Sequence, residues 1–274
     1  MRFLLAALLS TAALAAEDAR EIVLRSVNHD TQNFQRARSY TFLQHSEQRE
    51  LDAAGRVKSV ESKTYDITIL YDRPYARLIE RDGKPLSPKE EAREQAKLSK
   101  LVAERQRESQ QQRTRRLADY EKSSQRQRAF LKEIPEAYEF RLAGEENIEG
   151  RNVYVIEARP RAGYRPRDLR AGILTKFRGR FWIDKAEYQW VRVEAEVIDT
   201  VSFGLFLARL GKGCRVEFQQ ARVNDGVWLP RRISVSIDAR LALVKKLRRE
   251  QDITYRNYRK FQADSRVVST TEIP

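Results

Sequence analysis

Residues 179–197, Gly-Arg-Phe-Trp-Ile-Asp-Lys-Ala-Glu-Tyr-Gln-Trp-Val-Arg-Val-Glu-Ala-Glu-Val, constrain the fold more than any other stretch of the chain. Apolar and polar residues alternate with a period of two, the mark of a strand with one dry and one wet face. Phe181 and Ile183 fall on one side, Trp182 and Asp184 on the other. Past a turn at 184–187, Val191, Val193, Ala195 and Val197 share a side opposite Arg192, Glu194 and Glu196. Two such strands in succession predict an antiparallel sheet with one apolar face, which the rest of the chain or a ligand must cover.

The chain opens with Met1-Arg2, a run of Phe, Leu and Ala to Leu9, and small residues to Ala16, followed abruptly by Glu17-Asp18. A basic start, a short apolar core and small residues at a cleavage point make a secretory signal, cut near Ala15–Ala16. The competing reading is a buried first helix. The run is too short for a span, which needs about twenty apolar residues, so no transmembrane segment is expected in the mature chain. Without the first sixteen residues, 258 remain, with 52 Lys and Arg against 39 Asp and Glu. A single Cys214 excludes a disulfide within the chain, so an exported fold must rest on sheet pairing and packing. The positive balance suits an anionic envelope surface, or a merely well-solvated one, better than nucleic acid in an exported protein.

Residues 17–35 read as a helix capped by Asp18, with Ile22, Val23, Val27 and Phe34 toward one face. Strand alternation begins at Tyr40 and Phe42, turns at 52–55, and returns through Tyr65, Ile67, Ile69 and Tyr71. A further strand follows Pro74 and turns at Asp82-Gly83. Ser87-Pro88-Lys89-Glu90 is a helix start with cap, first-turn proline and capping-box glutamate. The stretch 87–132 lacks glycine, and between 87 and 128 it carries twelve Lys or Arg against seven Asp or Glu. It is expected as a long polar helical insertion, broken near 109–112 into two helices. It is either a solvated hairpin or a basic arm that touches an anionic surface or partner.

Strands resume at Tyr138, Phe140 and Leu142 and again at 153–158. Residues 159–180 hold eight basic side chains against Asp168 alone, with two prolines, and read as a loop. The candidate anionic-surface residues are Arg159, Arg161, Arg165, Arg167, Arg170, Lys176 and Arg178. Residues 201–210 form an apolar loop or short helix that either plugs the sheet or lies exposed as a lid. Later strands carry Val216 and Phe218, then Ile233, Val235 and Ile237 after a turn at 224–226, then Ile253 and Tyr255. The tail 263–274 is expected to be flexible.

Chemical motifs are sparse. His29 and His45 have no partner at metal-ligand spacing, neither a Gly-x-Ser-x-Gly elbow nor a His-Glu-x-x-His pair occurs, and Gly211-Lys-Gly213 lacks the rest of a phosphate loop. The glutamates define no acid–base separation. No catalytic residue, metal or cofactor is expected, and Cys214 reads as a core or edge thiol.

The strand ending in Phe181-Trp182-Ile183-Asp184, with its return of Val191-Arg192-Val193-Glu194, an early helix and a long meander, resembles the periplasmic lipoprotein-carrier superfamily. That group includes the LolA and LolB lipoprotein-localisation factors and the N-terminal domain of the stress regulator RseB. Val227-Trp228-Leu229-Pro230 and the strand from Ile233 are similar to exported proteins described as outer-membrane lipoprotein-sorting proteins. The resemblance covers 138–261, and 17–80 less well. It implies an α+β fold: a half-open antiparallel β-barrel closed by helices, whose concave apolar face holds acyl chains or a lipidated partner.

These readings predict one domain over 17–262, mainly antiparallel β, with about nine to eleven strands. The expected function is that of an exported, non-enzymatic protein, periplasmic or secreted, binding a lipid or lipidated protein in envelope trafficking. The candidate concave lining is Phe181, Ile183, Val191, Val193, Phe218, Ile233, Val235 and Ile237. Equally compatible with the pattern is a row filled entirely as core. The alternative function is an envelope sensor or scaffold that uses its basic helices and loop to grip a partner protein or anionic surface. No oligomeric state follows from the sequence.

Overall fold

The structure is a computed structural model that describes residues 17–167, 171–203, 208–223, 226–241, 245–261 and 267–271. The expected signal segment, Arg170, Asp168 and the turn residues Asn224 and Asp225 lie outside the described residues. In chain order the elements are helix α1 (Ala19–Ala37), strands β1 (Tyr40–Leu51), β2 (Val57–Leu70), β3 (Arg73–Arg81) and β4 (Lys84–Pro85), helices α2 (Pro88–Gln106) and α3 (Gln110–Arg128), a 310 turn (Ala129–Glu133), and a short helix α4 (Ile134–Ala137). Strands β5 (Tyr138–Ile148) and β6 (Arg151–Pro160) follow, then a second 310 turn (Ala171–Lys176), β7 (Phe177–Asp184), β8 (Trp190–Val197), β9 (Val201–Phe203), β10 (Ala208–Leu210), β11 (Arg215–Arg222), β12 (Trp228–Leu241), β13 (Lys245–Phe261) and β14 (Val267–Thr271).

Eleven strands lie side by side in the order β4-β3-β2-β1-β13-β12-β11-β8-β7-β6-β5, every neighbouring pair antiparallel. The sheet is open, with β4 at one edge and β5 at the other. Its N-terminal and C-terminal meanders join in the middle, where β1 pairs with β13 from Tyr40↔Lys260 to Leu51↔Arg248. The stretch 201–210, expected as a loop or short helix, instead contains β9 and β10, with β10 paired to β12. Val267–Thr271, inside the expected flexible tail, pairs with β13.

Turn chemistry fixes the hairpins. Asp52 accepts from the backbone N–H of Ala54 at 2.8 Å and of Arg56 at 3.0 Å, and Gly55 takes the left-handed φ of +80° that closes the β1–β2 turn. Asp82 accepts from Ser62 N–H at 2.8 Å, tying the β3–β4 turn to β2. Helix α2 carries the expected reciprocal cap of Ser87 with Glu90, and α3 starts with a second one, Ser109 with Gln112, where the sequence predicts only a break. The break between them falls at residues 107–109.

These two helices are not an excursion from the fold. They leave β4 at one edge of the sheet and deliver the chain to β5 at the other. Helix α2 runs back along β3, where Arg77 pairs with Glu91 and Arg81 with Glu90, so it shields a strand that pairs with β4 through only two residues. Helix α3 reaches from the β2–β3 turn, where Arg116 donates to the Tyr71 carbonyl at 3.1 Å, to α1, where Arg38 pairs with Glu121 and Arg128 with Asp30.

Candidate functional site

Helix α1 covers one side of the sheet around β5, β7 and the start of β12. Its buried face reads in two registers. Ala19, Ile22, Val23 and Val27 pack on Tyr138, Ile156, Phe181, Ile183 and Trp190, with Ile22, Val23 and Val27 each stabilising the contact by about 1.5–3 kcal/mol. One turn further, polar residues take over on the same face. Ser26 accepts from the Trp190 indole at 2.8 Å, and Asn33 both donates to the Trp228 carbonyl at 2.7 Å and accepts from the Trp228 amide at 2.8 Å. Asp30, between them, is buried against Arg128. Burial raises its carboxyl pKa and the Arg128 charge opposes that rise.

The β7–β8 hairpin holds a correction to the lining read from alternation. Phe181 pairs with Val193 and Trp182 with Arg192, but Ile183 pairs with Trp190, so a bulge falls at Val191. Trp190 thereby joins Phe181 and Ile183 under α1. Val191 turns to the opposite side, where it packs with Val153, Val155, Trp182 and Trp228. Trp182 and Asp184, expected on a wet face, are likewise buried, 4% and 2% exposed. The Trp182 indole donates to Glu146 at 3.0 Å between the Arg180 and Arg192 guanidiniums. Asp184 accepts from the backbone of Ala186 at 3.0 Å and Glu187 at 2.8 Å and takes Arg151 at 3.0 Å, so it builds the turn. In β7, Gly179 permits close approach, since a Cβ there would lie 3.1 Å from the Glu194 carbonyl oxygen.

The other lining residues share the α1 side through cross-strand register: Phe181↔Val193↔Phe218↔Ile233↔Ile253 along one row, and Val216↔Val235 along the next, with Ile237 two residues beyond. Their burial divides them. Phe181 and Ile183 are core, and Val193 and Phe218 pack against that core. Ile233, Val235 and Ile237 are half-buried and join none of the buried clusters, and the same holds for Val216 and Ile253, strand residues outside the candidate lining. The five form a contiguous aliphatic strip over β11, β12 and β13 beyond the reach of α1. It ends on β1, where the same rows continue into Ser46 and Gln48. Their signal in the sequence is the shared period-two spacing of 216/218, 233/235/237 and 253/255.

The basic loop also divides. Lys176 pairs with Asp199 and Arg178 with Glu196 at 2.8 Å, so these two members are neutralised. Arg159, Arg161, Arg165 and Arg167 have no ion pair among the described residues, and Arg159, Arg165 and Arg167 are exposed. The loop is anchored by Tyr164, which donates to Glu133, by the Arg167 amide, which donates to Glu133 at 3.1 Å, and by the Arg161 amide on the Ala137 carbonyl at 2.9 Å.

Histidine chemistry is local: His29 tilts against Tyr188 at 5.9 Å and His45 shares a hydrogen bond with Thr64 at 3.0 Å. Cys214 is buried, its thiol bonded to the Asp238 backbone. Among the described residues no three metal-capable side chains converge, and no helix is long and apolar enough to cross a membrane.

No family model and no curated protein matches the chain. Solved structures do. A DUF1329 family protein from Desulfovibrio piger aligns at 14% identity over 89% of this chain and 94% of that one, with a TM-score of 0.35. A putative outer membrane lipoprotein-sorting protein domain from Vibrio parahaemolyticus aligns at 11% identity over 89% and 95%, TM-score 0.31. A LolA superfamily protein from Nitrosomonas europaea aligns at 13% over 90% and 94%, TM-score 0.31. The last two carry names from the group that the 179–197 hairpin resembles. The likeness extends along the chain but is loose in shape, and what the site can do rests on its own geometry.

Proposed function

We propose that this chain is an exported envelope protein that holds an amphiphile, either a lipid acyl chain or the lipid anchor of a partner protein, along the helix-side face of its sheet, without covalent chemistry. The observation that carries this reading is the strip of Val216, Ile233, Val235, Ile237 and Ile253, which continues a buried core yet is itself only half covered. Aliphatic side chains in register on three adjacent strands make a strip along which an acyl chain can lie, and the polar Ser46, Gln48 and Gln251 at its margin suit a headgroup.

The test is a fluorescent fatty-acid probe titrated into the mature chain, with mass spectrometry of lipid extracted from the purified protein. Saturable binding is expected, weakened at least tenfold in Val235→Asp, since that loss corresponds to about 1.4 kcal/mol and a carboxylate placed under an acyl chain costs at least as much. No exchangeable lipid, together with probe binding unaltered by Val235→Asp, would remove the proposal.

The four arginines that have no ion pair among the described residues favour a second reading, in which the loop docks on an anionic envelope surface. Sedimentation with phosphatidylglycerol vesicles should then fall steeply with salt and with Arg159, Arg161, Arg165 and Arg167 changed to Gln, while acyl-probe binding persists. Deleting the charged helices is not a usable test, because they join the two sheet edges.

A further inference from the structure

A second opening lies away from the apolar strip, between α3, the C-terminal part of α1 at Phe34, and the start of β3, with a volume of about 690 Å³. It differs in kind from the trough of about 630 Å³ on the outer face of β6–β8 and β11, where charges answer one another: Arg178 meets Glu196 and Arg180 meets Glu157, both at 2.8 Å. In the α3 cavity several polar side chains have no partner among the described residues. Arg73 lies over the Tyr120 ring at 4.6 Å, with Arg38 at 5.4 Å from the same ring, and makes no ion pair among the described residues. Stacking of this kind holds a guanidinium in place by its face and leaves its N–H edge free, so the charge is positioned without being neutralised. Arg115, on α3, has no ion pair either, and neither does Asp119. The Ser124 hydroxyl, on a residue only 8% exposed, has no hydrogen-bond partner among the described residues, nor does Gln127. Arg116 belongs to the wall, since Glu108 holds it at 2.8 and 2.9 Å.

Two free guanidinium forks match the oxygens of a phosphate. A carboxylate, a hydroxyl and an amide around the same opening match ring hydroxyls, which both donate and accept. The volume falls within the usual range of small-molecule sites, about 300–1,000 Å³. We propose that this cavity binds a phosphorylated sugar of one or two rings, with Arg73 and Arg115 on the phosphate and Asp119, Ser124 and Gln127 on the hydroxyls. The site is separate from the amphiphile strip and stands whether or not that reading does.

Calorimetric titration of the mature chain with glucose 6-phosphate at low salt should give saturable binding, at least tenfold tighter than with glucose or with inorganic phosphate. Arg73→Met and Arg115→Gln should each weaken it at least tenfold with the thermal midpoint unchanged. Arg115 is exposed and unpaired, so its variant keeps the test sound even where Arg73→Met perturbs the stack. Vesicles carrying phosphatidylinositol 4-phosphate separate a lipid-borne headgroup from a free sugar phosphate. Capture lost with Arg73→Met supports the former, and soluble binding without capture supports the latter. Absence of saturable glucose 6-phosphate binding, equal affinity for inorganic phosphate, or wild-type binding by both variants would overturn the assignment.

Discussion

Asp30 is the residue on which the packing of α1 against α3 turns. Its side chain is 8% exposed and pairs with Arg128, which is 27% exposed and lies over the Phe34 ring at 4.1 Å. The two partners are therefore unequal: an uncompensated Asp30 has nowhere to find water, whereas an uncompensated Arg128 keeps an aromatic face and a partial opening to solvent. Arg128→Met is expected to destabilise the fold by about 3 kcal/mol and Asp30→Asn by about 1 kcal/mol, read from urea midpoints. Equal losses would show that burial of the carboxylate is not what matters. The period-two pattern assigned Phe181, Ile183, Val193, Phe218, Ile233, Val235 and Ile237 to one side of the sheet, and the register agrees. It failed at Val191 because a bulge is a choice of hydrogen-bond register, and Trp190-Val191 gives either residue an apolar side chain to bury.

Among the elements, α2 has the most clearly titratable end. The Glu90 carboxylate accepts from the Ser87 hydroxyl at 2.7 Å, from the Ser87 backbone N–H at 3.1 Å and from Arg81 at 2.9 Å, and these contacts, in that order, hold its pKa at about 2 against an ordinary 4.5. A carboxyl depressed in the folded form takes up its proton more readily when the cap is open. The stabilisation is thus present above about pH 4.5 and is lost as pH falls toward 2. Amide exchange in the first turn of α2 should accelerate across that window, and Glu90→Gln, which preserves the capping-box pattern, should flatten the dependence. Acceleration that persists in Glu90→Gln would place its origin elsewhere. The start of α2 was legible because Ser87-Pro88-Lys89-Glu90 carries its cap within four residues, whereas at 109–112 only a break was legible. That α2 and α3 connect the two sheet edges was not legible, because it depends on which strands end up outermost.

At the scale of the whole molecule, the seam between β1 and β13 decides whether there is one sheet or two fragments. Ending the chain at residue 244 removes β13 from the middle of the sheet and should abolish cooperative urea unfolding. Ending it at 261 removes only β14 from the paired strands and should leave a single transition. A cooperative transition in the shorter chain would mean that the halves are independent. The seam also orders events in time. Tyr40 emerges early and its partner Lys260 late. Contacts so distant along the chain form slowly. Until β13 is made, β1 offers an unsatisfied edge that only the last strands can occupy. A chain paired in this way is vulnerable to strand-swapped aggregation whenever that wait is prolonged.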